Sequence, residues 1–320
     1  MLKFLFAVLG ALIALAASPS FAQEYPVRPV RMIVTFPPGG GADLLARIVA
    51  RQLSEKWGHT VQVDNRAGGD GANGAAIGAK APADGYTMLM IISTHTVLPS
   101  LKSDLAYDVT KDFLPVIRMA EAPNAVVVHP SFPAKNIPEL IAIAKKNPGK
   151  LDYPGSGFGG PAHLAGVLFD RLAGTQMMFI PYKGAGPSLI ALIGGQVHVM
   201  FPAITGALPH VRAGKLRALG VTSEKRLPLL PEVPTVGESL KDYVFVGWYG
   251  LVVPVGTPAA IADKIYTDTA ATLGNPEIRT FLAGEGLTAA ITNPAQFATY
   301  IAAEVKKSAR LVADAGLKKN

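Results

Sequence analysis

Four short segments rich in glycine or hydroxyl side chains each follow an apolar, strand-like run. They are residues 37–43, 93–96, 155–160 and 182–187. Glycine lets a backbone approach a ligand closely, and the first amides of a helix have no partner within that helix, so such junctions suit an anion. In doubly wound sheets, ligands bind where the carboxyl ends of strands lead into helix starts. The pattern therefore predicts an anion site built largely from backbone amides.

These segments supply most of the candidate ligand-binding residues. Asp43 is expected to cap the helix after the first segment or to lie in its first turn. His95 and His163 are the histidines beside the segments. The candidates are Pro38, Gly39, Gly40, Gly41, Ala42, Asp43, Ser93, Thr94, His95, Ser156, Gly157, Gly160, His163, Tyr182, Lys183 and Gly184.

A dinucleotide site is disfavoured although one segment has suitable spacing. Gly155, Gly157 and Gly160 fit the G-x-G-x-x-G pattern between a strand and a helix. The next strand ends in Tyr182 and Lys183, where the pattern expects an acidic partner for the ribose. We therefore predict no nucleotide cofactor.

Hydrolysis and metal chemistry are also disfavoured. Ser156 has Pro154 where a nucleophile elbow requires glycine. His163 lies nearly two helical turns beyond Ser156, too far on to serve easily as its base. No two of the 6 histidines have the helical spacing typical of metal ligands. We predict a protein that is not an enzyme and binds no metal, with an exported hydrolase as a less favoured alternative.

Two series of alternating strands and helices position these segments. The first opens with a strand at 30–36 and a helix that begins near Asp43, and the second with a helix capped by Asn136. Extended apolar stretches at 113–129 and 244–253 are expected to cross between the series. We predict a two-lobed α/β protein, each lobe a mostly parallel sheet flanked by helices. The predicted boundaries are residues 23–123 and 247–320 for lobe 1 and residues 124–246 for lobe 2.

The N-terminus has the pattern of a secretory signal peptide. Lys3 precedes an apolar run at 4–17 and a small-x-small triplet that ends at Ala22. The run is shorter than the roughly 20 residues that span a bilayer. We predict cleavage after Ala22 and release into the periplasm.

The composition narrows the possible partners. The chain has 0 cysteines, which excludes disulfides, thiolate metal sites and a lipid anchor on cysteine. The formal net charge is +7, with lysine and arginine scattered along the chain, so no nucleic-acid partner is expected. A mildly positive surface favours anionic solutes. We expect a monomer.

Several separated sequence blocks together point to one family. They are PPGGGAD at 37–43, VDNRAG at 63–68, ADGYT at 83–87, PYKG at 181–184, GGQV at 194–197, AGKLRAL at 213–219, PEVPTV at 231–236, WYGL at 248–251 and GTP at 256–258. In these blocks the sequence resembles the tripartite tricarboxylate transporter substrate-binding family, also called the Bug (Bordetella uptake gene) receptors. The resemblance covers essentially the whole chain after the signal peptide.

The resemblance implies a type II periplasmic-binding-protein fold, a Venus flytrap with two hinge crossings. It also implies that backbone amides at 39–43 and ordered water hold a ligand carboxylate, and that the loops with Ser156 and Lys183 contribute to closure. Many members carry an acidic residue where this chain has Pro202, so the resemblance disfavours a ligand with an amino group. Pro202 and Ala203 join the candidate ligand-binding residues.

The resulting prediction is a periplasmic receptor for a small organic acid. It would deliver the acid, through a transient contact, to a separate membrane transporter of one large and one small subunit. A receptor that feeds a membrane sensor kinase would use the same clamp, and the sequence leaves this alternative open.

Overall fold

The computed structural model describes residues 25–317 of the chain. The predicted signal peptide and its cleavage after Ala22 lie outside this range. Within it, no helix combines the length and the apolar character that crossing a membrane requires.

The first lobe is built on a six-stranded sheet. Its strands are β1 (Val30–Val34), β2 (Val61–Asn65), β3 (Thr87–Ile92), β4 (Phe113–Pro123), β10 (Val246–Pro254) and β11 (Thr288–Thr292). Their order across the sheet is β11-β4-β10-β3-β1-β2. Strand β1 is parallel to β2 and β3, whereas β10 runs antiparallel to β3 and β4, and β11 antiparallel to β4.

Helices cover this sheet because each has an apolar face. In the first helix, Leu45, Val49 and Leu53 recur at helical spacing and are fully buried. That helix stops at Gly58, whose left-handed φ of 67° directs its amide to Ser54 O at 3.0 Å. The helices of this lobe are α1 (Gly41–Trp57), α2 (Ala72–Ala79), α3 (Thr94–Leu101), α8 (Ala259–Gly274), α9 (Pro276–Gly284) and α10 (Pro294–Asp314).

The second lobe has two smaller sheets. Its strands are β5 (Ala125–Val128), β6 (Asp152–Gly155), β7 (Met178–Pro181), β8 (Val199–Met200) and β9 (Arg217–Val221). Strand β5 is antiparallel to β8 and β9, and β6 is parallel to β7. Its helices are α4 (Ile137–Lys146), α5 (Pro161–Ala173), α6 (Ala185–Ile193) and α7 (Ile204–Arg212).

The last helix, α10, packs against both lobes. Phe297 near its start contacts Trp248 of β10, with ring centroids 5.6 Å apart. Val312 near its end belongs to the core of the second lobe, and Asp314 forms an ion pair with Arg171 of α5. The lobe boundaries given above stay a prediction, and α10 is a helix of the first lobe whose end packs on the second.

The two strand crossings between the lobes lie side by side and share a buried hydroxyl. Val246 of β10 pairs with Pro123, the last residue of β4. The Thr222 hydroxyl accepts a hydrogen bond from the Asn124 amide at 2.7 Å, and lies 2.9 Å from Asn124 O and 2.5 Å from Phe245 O. It can donate its one proton to either carbonyl. Thr222 therefore joins both crossings at one point.

The two-lobed α/β architecture is confirmed, but the sheets are not mostly parallel as predicted. In the first lobe β4, β10 and β11 are returning segments that pair antiparallel, and in the second lobe β5 pairs antiparallel with β8 and β9. The alternation of strands and helices does not reveal these pairings. Two helix starts also differ. The helix after β1 begins at Gly41, before Asp43, and the hydroxyl segment at 93–96 forms the start of α3.

Replacing Thr222 with Val should destabilise the protein, because it leaves the Asn124 amide without its partner in the interior. The expected loss is about 1–3 kcal/mol in the free energy of unfolding, measured by denaturant titration of tryptophan fluorescence. T222S, which keeps the hydroxyl, should lose less. A T222V protein as stable as the wild type would contradict this account of the crossings.

Candidate functional site: the interlobe cleft

The 39–43 loop presents the first turn of α1 to open space. Gly39 has a φ of 88°, a left-handed conformation that glycine adopts without strain. Leu44 donates the first helical hydrogen bond, to Gly40 O at 3.0 Å, so the amides at 41–43 have no acceptor within the helix. β-Carbons placed on Gly39 or Gly40 would meet no atom within 4 Å. The loop therefore offers both donors and room for a ligand.

Asp43 lies in the first turn of α1 and holds this loop from within. Its carboxylate accepts hydrogen bonds from the Gly39 amide at 3.1 Å, Arg47 Nε at 3.0 Å and Asn65 Nδ2 at 3.0 Å. Asn65 also donates to Phe36 O at 3.0 Å, which ties the loop to the end of β1. Burial opposes the ionisation of Asp43, but the hydrogen bonds and the charge of Arg47 outweigh it, so the pKa is lowered. Its charge is thus balanced inside the protein, and Asp43 orders the loop.

Two hydroxyl groups lie over Gly41 from other parts of the chain. A β-carbon on Gly41 would be 2.5 Å from the Tyr249 hydroxyl oxygen and 3.5 Å from Thr205 Oγ1. Tyr249 belongs to β10, and Thr205 to α7 of the second lobe. Neither was among the predicted site residues. The start of α1 therefore faces the second lobe across a narrow gap, which we call the interlobe cleft.

The 156–160 loop of the second lobe approaches the first lobe. A β-carbon on Gly157 would lie 3.0 Å from Asp70 Oδ1, and one on Gly159 would overlap Leu101 of α3. Burial raises the pKa of the Asp70 carboxyl, against the opposing charge of Lys102. This loop closes a second edge of the cleft.

Ser156 and Gly160 lie at the start of α5, where the Ser156 hydroxyl oxygen would be 3.3 Å from a β-carbon on Gly160. His163 is buried beneath them. Its Nδ1 accepts a hydrogen bond from the Gly159 amide at 2.8 Å, and its ring stacks on Phe179 with centroids 4.0 Å apart. Burial lowers the pKa of His163 to about 4. The neutral ring therefore positions the loop from below.

His95 is placed away from the cleft. Its ring is buried in the first lobe, stacked on Tyr107 at 5.7 Å and edge-on to Phe113 at 5.4 Å. Burial lowers the pKa of His95 to about 4. Its neighbours Ser93 and Thr94 line a cavity of about 20 Å³ between the lobes, enough for about one water molecule.

The 182–184 segment adjoins the 156–160 loop because β6 and β7 are parallel neighbours. The Tyr182 amide donates to Gly155 O at 2.8 Å, and Gly184 adopts a φ of 114° before α6. The Tyr182 ring packs partly against the core, whereas Lys183 is exposed. No hydrogen bond or ion pair joins this segment to the 39–43 loop in the described residues.

Pro202 and Ala203 lead into α7, which touches the first lobe. The Pro202 carbonyl accepts from the Ala125 amide at 2.9 Å, and Pro202 is buried. Ile204 follows them, and a β-carbon on Gly286 of the first lobe would be 2.6 Å from Ile204 Cγ2. These residues therefore set how closely the start of α7 approaches the first lobe.

The structure brings together part of the predicted site. The 39–43 loop faces the segment after Pro202 across the cleft, and the 156–160 loop closes on Asp70. Within residues 25–317, no three His, Asp or Glu side chains cluster as metal ligands.

The fold is that of the periplasmic binding proteins. A structure of periplasmic binding protein BugD is similar, with a TM-score of 0.84 and 33% identity over 92% of this chain and 100% of that chain. A structure of R. palustris Rpa4515 with adipate has a TM-score of 0.88 and 33% identity, covering 92% of this chain and 100% of that chain. MatC from Rhodopseudomonas palustris with bound malate has a TM-score of 0.81 and 30% identity, covering 90% of this chain and 100% of that chain.

Sequence comparison identifies the family. Residues 45–317 match the tripartite tricarboxylate transporter family receptor, TctC. Protein BugT of Bordetella pertussis is 36% identical over 319 residues, 98% of each chain. A UPF0065 protein of Pseudomonas sp. (strain P51) is 34% identical over 316 residues, 97% of this chain and 94% of that protein. The chain belongs to the tripartite tricarboxylate transporter family of receptors, which confirms the resemblance.

Replacing Asp43 with Asn keeps the side-chain size and removes the charge that Arg47 balances. Because the folded pKa of Asp43 is lowered, its ionised form stabilises the protein fully above the ordinary Asp pKa of about 3.9, and this contribution is lost as the pH falls through the folded pKa. D43N should therefore unfold at a lower temperature than the wild type at pH 7, and the difference should shrink as the pH drops below about 4.

Differential scanning calorimetry across this pH range measures the effect. D263N changes an exposed carboxylate on α8 and is the matched control. A D43N midpoint that matches the wild type at pH 7, or an offset independent of pH, would contradict the role given to Asp43.

Proposed function

We propose that this chain is a periplasmic receptor that captures a small organic acid without an amino group in the interlobe cleft. The observation that carries the proposal is the start of α1, where the amides at 41–43 have no acceptor within the helix. They adjoin the open space at Gly39 and Gly40 and face the second lobe at Gly41. A helix start is favourable for an anion through its free N–H groups and its dipole. Two relatives of 30% identity or more hold dicarboxylates, adipate and malate, in their structures.

A ligand without an ammonium group fits the acidic groups near the cleft. Position 202 is a buried proline, which offers no carboxylate to an amino group. Asp43 is engaged with Arg47 and Asn65, and burial favours the neutral form of Asp70 at the second edge of the cleft. At the start of α1 an ammonium group would therefore find no free carboxylate.

Ligand binding would favour the closed arrangement of the lobes. We take lobe 1 as residues 23–123 and 247–320 and lobe 2 as residues 124–246. The close approach of Thr205 to Gly41 exists only when the lobes are together, so a ligand held by both lobes binds this arrangement more tightly and shifts the equilibrium towards it. The closed form would then be recognised by a tripartite membrane transporter.

The remaining parts of the proposal rest on the sequence. The signal-peptide pattern at 1–22 supports export and periplasmic location. The scattered positive charge supports a monomer that binds small anions and no nucleic acid. A receptor for a membrane sensor kinase remains the alternative, since it would use the same cleft.

Non-catalytic binding is supported by the state of the histidine nearest to Ser156. His163 Nδ1 accepts the Gly159 amide, and the ring is held in an aromatic stack with its pKa lowered by burial. The chain should therefore form a stoichiometric complex with its acid and return the acid unchanged.

A thermal-shift and calorimetric panel tests the proposal. We expect one of adipate, L-malate, succinate, citrate or benzoate to bind with 1:1 stoichiometry. At 100 times its dissociation constant it should stabilise the fold by about 2.7 kcal/mol. L-Aspartate and L-glutamate should bind more weakly than the matched acids that lack an amino group.

Three outcomes would contradict it. They are the absence of binding by every acid in the panel, tighter binding of an amino acid, and conversion of the bound acid during overnight incubation. Uptake of the labelled acid by cells with and without the gene separates transport from sensing, because only a transport receptor changes the uptake rate.

A further inference from the structure

Tyr249 places a polar group in the cleft although the residue is almost entirely buried. Its relative exposure is 7%, and its ring belongs to the core beneath α1. Its hydroxyl has no hydrogen-bond partner among residues 25–317, and burial raises its pKa to about 12. Within residues 25–317 its oxygen is not one of the fully enclosed polar atoms that lack a partner, so it opens onto the cleft. Phenylalanine would fill the same core space but would offer no donor to a ligand.

The position of the hydroxyl is specific. It lies 2.5 Å from the point where a β-carbon of Gly41 would be, directly beside the unpaired amides of α1. The β10 register sets this position, since Tyr249 pairs with Ile92 on one side and Ala120 on the other. The neighbouring Trp248 alternates to the opposite face of the sheet, where it packs against Phe297. Only the Tyr249 face of β10 looks towards α1.

The second lobe adds one hydroxyl at the same point. Thr205 Oγ1 lies 3.5 Å from the same β-carbon position, so the two hydroxyl oxygens are at most about 6 Å apart, the sum of the two distances. Thr205 lies in the first turn of α7. Both hydroxyl oxygens therefore lie beside the first amide of α1.

We propose that Tyr249 and Thr205 complete a carboxylate-binding site with the amides of α1, which we call the seat. Tyr249 contributes its hydroxyl from β10 and Thr205 from α7 of the opposite lobe. This inference rests on the proposed function and assigns it two specificity-determining residues. Tyr249 donates its proton to one carboxylate oxygen whether the lobes are open or closed. Thr205 reaches the carboxylate only in the closed arrangement, so its contact contributes to closure.

The seat defines a chemical preference. The amides of α1 and the protonated Tyr249 hydroxyl all donate, and a carboxylate offers them acceptor oxygens only. A carboxamide would turn an NH2 group towards these donors and leave some of them unpaired, which costs more than a missing contact in water. The protein should therefore bind an acid much more tightly than the corresponding monoamide.

Calorimetry with the tightest-binding acid of the panel adipate, L-malate, succinate, citrate and benzoate tests the inference. A hydrogen bond to a charged group contributes about 1.5–3 kcal/mol, so Y249F should bind the acid at least tenfold more weakly. The ligand-free Y249F protein should unfold at the wild-type temperature or slightly higher, because the substitution removes an unpaired hydroxyl. Y266F alters a partly buried tyrosine of the same lobe and should change neither quantity.

Two Thr205 variants distinguish the effect of losing the hydroxyl from the effect of changing the side-chain volume. T205V keeps the shape and should weaken binding, mainly through faster dissociation in stopped-flow measurements, whereas T205S should bind nearly as the wild type does.

In Y249F the preference for the acid over its monoamide should fall. G41A would put a methyl group into the seat and should weaken binding without unfolding the protein.

The outcomes distinguish this inference from the proposed function. Wild-type affinity in Y249F, or an affinity loss in Y249F accompanied by an equal loss of ligand-free stability, would overturn the seat while the receptor function stands. A wild-type protein that binds no acid of the panel would overturn the proposed function and the seat together.

Discussion

The amides at the start of α1 have no acceptor among residues 25–317, and the rest of the cleft is arranged around them. They keep their orientation because the Asp43 carboxylate, itself balanced by Arg47 and Asn65, ties the loop to the end of β1. An acidic side chain beside an anion site would repel the ligand if its charge were unmatched. Here the Asp43 charge fixes the loop through the Gly39 amide and leaves the amides at 41–43 free. In the proposed function these amides bind the ligand, and each charge-assisted hydrogen bond would contribute about 1.5–3 kcal/mol.

The second lobe makes ligand binding depend on closure of the cleft. The two strand crossings are joined at Thr222 and form one hinge between the lobes. Helix α10 also packs against both lobes. Contacts across the cleft occur at several separate points, from Thr205 over Gly41 to Gly157 beside Asp70. A ligand can shift an equilibrium between open and closed forms only by its preference for one of them. The proposed contact from Thr205 would supply such a preference, whereas the α1 amides alone would not.

The sequence predicted the architecture and the main loop because both depend on local signals. Glycines after an apolar strand and a helical repeat of Leu45, Val49 and Leu53 are visible without a structure. The sequence did not reveal the features that depend on pairing between strands far apart in the chain. Strand β10 returns antiparallel to β3, and that register brings Tyr249 to Gly41, 208 residues earlier in the chain. His95 lay beside a hydroxyl-rich segment, but its segment forms the helix α3, which turns the ring into the core.

The central claim is that the amides of α1 themselves bind the anion. Titration of ¹⁵N-labelled protein with the tightest-binding acid, followed by amide chemical shifts in two-dimensional NMR, tests it directly. The account predicts that the amide protons of Gly41 and Ala42 move downfield along a saturation curve that has the calorimetric dissociation constant. Saturable shifts confined to other parts of the chain, with Gly41 and Ala42 unchanged, would contradict it.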